Sequence, residues 1–220
     1  TNAFSQLGLG NLHNLDLGQS QIVDIDPGAF NGLGNLGYLS LDKNQIDINA
    51  INPEAFNGLG QLGTLRLSEN RATNNTIITN AFNQPGLGNL FLLDLGKNQI
   101  VNIAPGAFNG LGNLHYLLLQ ENQIVNIVPE TFNGLGNLQS LNLEQNQIVD
   151  IPPDAFNGLG NLATLKLQEN QIDINAINPG AFNGLGQLQT LDLSQNRATT
   201  IVTNAFSQLG LGNLHNLDLG

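Results

Sequence analysis

Leucine recurs along this chain in a short phrase, L-x-x-L-x-L-x-x-N-x-I. The phrase begins at Leu12, Leu36, Leu62, Leu90, Leu114, Leu138, Leu162, Leu188 and Leu214, at spacings of 24, 26, 28, 24, 24, 24, 26 and 26 residues. Its central L-x-L alternates with period two, which puts both leucines on one side of a short strand. One such strand has nothing to bury its leucines against. Stacking the next copy in register covers them and pairs the backbones in a parallel sheet at ~4.8 Å per step. The pattern therefore predicts a solenoid in which each repeat packs on its neighbours.

A second phrase, roughly I-x-P-x-A-F-N-G-L-G-N, fills the intervals. Its aromatic falls at Phe4, Phe30, Phe56, Phe82, Phe108, Phe132, Phe156, Phe182 and Phe206, leaving only Phe91 to the strand phrase. These rings predict a second apolar spine opposite the leucines. The ninth position of the strand phrase carries Asn44, Asn70, Asn98, Asn122, Asn146, Asn170 and Asn196, with Ser20 in the first copy. The chain turns there, and an amide both donates and accepts. A ladder of buried Asn side chains is expected to satisfy backbone groups that the turn would otherwise strand.

The two phrases together resemble the leucine-rich repeat family over essentially the whole chain. The Phe and the 24-residue period make it similar to the typical extracellular subclass, as in Toll-like receptors and the lymphocyte receptors of jawless vertebrates. The resemblance implies an α/β-type repeat solenoid, mostly strand and turn: a right-handed superhelix with a parallel concave sheet and little α-helix on its convex side. It also implies an extracellular or cell-surface location. Members of this subclass usually carry Cys-rich caps, and this chain has no Cys.

A longer period overlies the short one. Residues 1–18 and 203–220 are identical, an offset of 202 residues, so 1–220 reads as a single array of eight repeats plus an 18-residue overlap. Neither end carries the polar cap that solenoids normally need. The expectation is an excerpt of a longer array, continued covalently or by end-to-end stacking.

Composition narrows the chemistry. The net charge of −11 makes nucleic acid a poor partner and anionic membrane another. No apolar run approaches a membrane span. The lack of Cys excludes disulfides, thiolate metal sites and thiol nucleophiles. All six bases lie in or beside the strand phrases, whereas the return segments hold Asp24, Asp26, Asp47, Glu54, Glu130, Asp150, Asp154 and Asp173, so the convex side is expected to be uniformly acidic. Lys43, Glu69, Lys97 and Glu121 alternate in sign at the eighth position, and Arg66 faces Asp94 as Lys166 faces Asp192. Such cross-strand pairs keep register and contribute up to about 1 kcal/mol each. Gly32 to Gly37 and Gly58 to Gly63 fit G-x-G-x-x-G, but they precede a strand instead of joining a strand to a helix. His13, its copy His215, and His115 have no His or Cys partner at ligand spacing. No catalytic residue, cofactor or metal site is expected, and the chain reads as a non-enzyme.

On the solvent side of the strands, the second, third, fifth, seventh and eighth positions are expected to face outward, and most are small or amide-bearing. Two neighbouring repeats differ: one offers Phe91 and Leu92, the next His115, Tyr116 and Leu118. Adjacent strands would merge these into one apolar patch, the usual mark of an interaction surface. Asn74-Asn75-Thr76 is a glycosylation sequon in the longest repeat. The first functional reading is a structural repeat protein, a segment of a self-associating array, extracellular filament or surface layer. The alternative is a recognition module that grips a protein or glycan on its concave face.

Overall fold

The computed structural model describes Phe4, residues 8–197 and residues 211–220. In chain order its strands are β1 (Asn14–Asp16), β2 (Tyr38–Ser40), β3 (Thr64–Arg66), β4 (Thr76–Ile77), β5 (Leu92–Asp94), β6 (Asn102–Ile103), β7 (Tyr116–Leu118), β8 (Ser140–Asn142), β9 (Thr164–Lys166), β10 (Thr190–Asp192) and β11 (Asn216–Asp218). Among the described residues, β1, β2, β3, β5, β7, β8, β9, β10 and β11 form one nine-stranded sheet in that order, and every pairing is parallel. The register aligns equivalent positions throughout: Leu39 opposes Leu65, Leu65 opposes Leu93, and Leu93 opposes Leu117. A one-residue slip would turn every leucine to water, which is why the pairing holds across loops of unequal length. β4 and β6 make a second, two-stranded parallel sheet on the return side.

The core is two spines. The strand leucines from Leu36 to Leu193 are buried on one side, and the return-segment rings are buried opposite them. Ring centroids of Phe30 and Phe56 lie 6.0 Å apart, and Phe82, Phe108, Phe132, Phe156 and Phe182 follow one another at 5.9–6.2 Å, all within 12° of parallel. No such stacking joins Phe56 to Phe82. The chain inserts Gln84-Pro85 just beyond Phe82, and Gly86 closes the detour at φ 95 against the Phe56 backbone. A β-carbon there would overlap the Phe56 carbonyl, so only Gly fits. Phe206 lies outside the described residues.

At the turns after β1, β2, β3, β5, β7, β8, β9 and β10 the eighth residue of the phrase is left-handed although it is never Gly: Gln19, Lys43, Glu69, Lys97, Glu121, Gln145, Glu169 and Gln195 all have φ between 52 and 58°. The amide that follows is tied on all sides. Asn122 Nδ2 donates to the carbonyls of Leu95 and Leu119, both at 3.0 Å, while its Oδ1 accepts from the Asn98 N–H at 2.8 Å and the Ile100 N–H at 3.0 Å. Asn44, Asn70, Asn98, Asn146, Asn170 and Asn196 each donate in the same way to a Leu of their own repeat and a Leu of the preceding one. The return side is turns with short 3₁₀ segments. Those at Ile48–Ala50 and Ile174–Ala176 are each capped by the preceding Asp, whose carboxylate accepts from the Asn N–H within the segment.

Three sequence expectations change. The fifth position is not uniformly outward: Ser40, Asp94 and Asn142 are buried, and the Asp94 and Asn142 side chains fold back onto their own turns, each Oδ1 accepting from the N–H two residues on at 3.0 Å. The convex flank is not uniformly acidic, since Arg71 and Arg197 bridge by backbone to Asp47 and Asp173. Lys166 and Asp192 are register partners, yet they form no ion pair. Asp192 Oδ1 instead accepts from the N–H and hydroxyl of Ser194, at 3.0 and 2.7 Å.

Candidate recognition surface

The middle of the concave sheet carries its largest apolar side chains. β5 and β7 pair Leu92 with Tyr116 and Asp94 with Leu118, while the residues just ahead of them, Phe91 and His115, lie on adjacent turns of the solenoid. The Phe91 and His115 rings stack with centroids 4.5 Å apart at 27°. Tyr116 meets Phe91 at 5.2 Å, tilted by 57°. Phe91 remains 45% exposed, one of few large apolar side chains so open. Leu92, His115, Tyr116 and Leu118 are half-buried around it. His115 Nδ1 lies 2.8 Å from the Asn113 carbonyl, which orients its ring against Phe91. The structure thus brings all five patch residues together. Tyr38 stands apart in the same row, with Thr64 between it and Leu92.

Beside the patch lies a charged network that sequence reading found only in part. Arg66 Nε donates to Asp42 Oδ2 at 2.6 Å, and its Nη2 lies 3.2 Å from Asp94 Oδ2. Asp42 Oδ1 also accepts from the Ser68 N–H and hydroxyl, both at 2.8 Å. Arg66 is held above its usual pKa, first by the hydrogen bond to Asp42. Burial pushes the Asp94 carboxyl up, against the lowering effects of the Gly96 N–H and Arg66. Asp16 is held below the usual carboxylate range by the Gly18 N–H. A polar hollow of about 290 Å³ opens over β1–β3 between Asp16, Ser40, Asp42, Lys43, Arg66 and Glu69. The Arg66–Asp94 pairing was legible from register. The Asp42 bond was not, because it crosses diagonally from the seventh position of one repeat to the fifth of the next.

The eighth-position charges pair along the rim, Lys43 with Glu69 at 3.6 Å and Lys97 with Glu121 at 3.3 Å. Among the described residues no group of three or more His, Cys, Asp or Glu side chains is arranged to hold a metal ion. No helix there is long and apolar enough to cross a membrane. Asn74 is exposed on the return side, at φ 55 in the turn that precedes β4.

Comparison with known proteins agrees with this architecture. The leucine rich repeat family matches residues 10–71, 77–124, 112–172 and 173–220. The chain is a leucine-rich repeat protein. No curated protein sequence matches it. Among solved structures, TLR13 in complex with ssRNA13 is 32% identical with a TM-score of 0.82, covering 94% of this leucine-rich repeat chain. Internalin C2 of Listeria monocytogenes is 27% identical with a TM-score of 0.66, over 96% of this chain and 82% of its own. The internalin inlF of the same organism shares the fold, at 24% identity and a TM-score of 0.61 over 100% of this chain. The chain spans 29% of the TLR13 chain and 64% of inlF.

Proposed function

We propose that this leucine-rich repeat protein is a non-enzymatic recognition module that holds its ligand on the concave sheet, anchored at Phe91, Leu92, His115, Tyr116 and Leu118. The observation that carries this is the exposed Phe91 ring, stacked on His115 and tilted against Tyr116 within the apolar patch of the sheet. Rigid aromatic anchors with two χ angles lose little entropy on binding and dominate interface energies. TLR13, crystallised with ssRNA13, supports ligand binding by a relative of this fold. Nucleic acid is a poor choice here, since single strands need a cationic groove and the rim lysines, Lys43 and Lys97, are paired with glutamates. The proposed site of action is outside the cell or on its surface, in keeping with the Phe-containing subclass.

The test is staining of intact source cells and their matrix with fluorescently labelled protein. Phe91→Ala combined with Tyr116→Ala is expected to weaken staining at least about tenfold while leaving the melting temperature within a few degrees, as loss of one interface anchor costs ~2 kcal/mol or more. Undiminished staining by the double variant would refute the reading. The 202-residue identity of the two sequence ends favours a second reading, a self-associating array or filament. Electron microscopy separates the two: discrete horseshoes at high concentration contradict the array, and regular fibres contradict the isolated module.

A further inference from the structure

The distribution of charge across the concave sheet is not random. The second and third positions of all nine strand phrases contain no Asp, Glu, Lys or Arg; in those phrases the carboxylates lie at the fifth, seventh and eighth positions. In the sheet these two positions form adjacent rows that run across the strands, because equivalent residues are in register. The result is an uncharged strip, perpendicular to the strands. Amides and hydroxyls such as Asn14, Gln139, Ser140 and Gln189 occupy its flanks, and aromatic rings occupy its middle.

The strip also contains a notch. His115 covers one face of Phe91, and the other face looks along the row toward Gly63 and Gly37. Neither glycine is required by the backbone. Neither has a positive φ, and a β-carbon would meet only ordinary contacts: the Gly37 carbonyl at 3.7 Å from Gly63, and the His13 carbonyl at 3.8 Å from Gly37. Other repeats carry Gln139, Ala163 and Gln189 at the same position without disturbing the register. The two glycines therefore leave an open floor about two strand spacings wide, ~9–10 Å. Phe91 closes it at one end and His13 at the other. Tyr38 and Thr64, register partners, line its side, and among the described residues neither hydroxyl has a hydrogen-bond partner.

We propose that this strip binds a neutral polysaccharide, with one pyranose ring seated in the Gly37–Gly63 notch against the open face of Phe91. The proposal rests on the recognition reading above and names its class of ligand. A pyranose offers an apolar C–H face to the electron-rich face of an aromatic ring and a rim of hydroxyls to amides and alcohols. It is comparable in width to one strand step of ~4.8 Å, so an extended glycan crossing the strands meets a fresh pair of side chains at each repeat. A polyanion would find no cation in the strip, and a protein partner would gain orientation from charges that these rows lack.

The experiment is native electrophoresis through gels containing laminarin, hydroxyethyl cellulose, mannan or dextran, with alginate and heparin as charged counterparts. Calorimetric titration with the corresponding oligosaccharide gives the affinity. At least one neutral polymer is expected to retard the protein. Phe91→Ala and Gly63→Gln should each weaken binding tenfold or more, the latter by filling the notch with a side chain that the fold already carries at Gln139 and Gln189. Lys97→Ala, on the rim, should bind as the parent does. Retardation by none of the neutral polymers, retardation by the charged ones alone, or parent-like binding by Gly63→Gln would overturn the proposal. Cell staining that still depends on Phe91 and Tyr116 would leave the recognition surface standing with a protein ligand; staining independent of both would remove that reading too.

Discussion

Replacing Asn122 by Ala strips the solenoid of one amide at its centre. The side chain is buried and holds four good hydrogen bonds, two given and two received. Truncation leaves the Leu95 and Leu119 carbonyls short of one donor each. More seriously, it leaves the N–H groups of Asn98 and Ile100 without an acceptor. An orphaned buried donor costs ~1–3 kcal/mol, so the pair predicts a loss of about 2–6 kcal/mol, the lower end applying if water enters the space. In a repeat array that loss falls on one interface between neighbours, not evenly over the chain. Native-state hydrogen exchange is therefore the sharper assay. Exchange at the Ile100 amide should accelerate at least ~30-fold, while amides around Asn170 keep most of their protection. Asn122→Asp adds a second handle. It keeps an acceptor for the two N–H groups but sets a carboxylate against two carbonyls in a buried site, which raises its folded-state pKa. A raised pKa means that the stability contribution is present below the unfolded value, ~3.9, and is lost as pH rises through the folded value. Asn122→Asp should thus be most nearly native in acid and weakest at neutral pH. Stability of Asn122→Ala within ~1 kcal/mol of the parent, with unchanged exchange at Ile100, would refute this account of the turn.

Gly86→Ala forces a β-carbon into the Phe56 carbonyl at a left-handed φ and should cost ~3 kcal/mol or more by urea unfolding, whereas Gly88→Ala, with open space around it, should cost no more than ~1 kcal/mol. Asp94, lifted by burial, should make the protein lose stability as pH rises from the ordinary carboxylate range through its own raised pKa; thermal melts of Asp94→Asn should show a shallower decline over that window. Produced in a secreting eukaryotic host, the protein should lose mass on peptide-N-glycosidase treatment, and Asn74→Gln should abolish that shift, because the exposed turn at Asn74 offers the sequon freely.

The leucine phrase made the solenoid, the parallel sheet and its register legible from sequence, because a two-residue alternation repeated at near-constant spacing leaves one way to bury the leucines. The patch at Phe91 was legible as a coincidence of large residues in neighbouring repeats. The notch beside it was not, since a glycine at an outward position gives no sign of whether the backbone requires it until its backbone angle and surroundings are known. The Arg66–Asp42–Ser68 network was hidden because it runs diagonally between repeats, and strand alternation says which face a residue takes but not how far a long side chain reaches.

Sequence alone thus determined the period, the spines and the order of the strands, all consequences of local alternation and burial. The tertiary structure decided what spans repeats: the stacking of Phe91 on His115, 24 positions apart, the burial of Asp94 beside Arg66 of the preceding repeat, and the placing of Arg71 beside Asp47 on a flank read as purely acidic. Those outcomes depend on distances between side chains of different repeats, and such distances are set only when the repeats are packed.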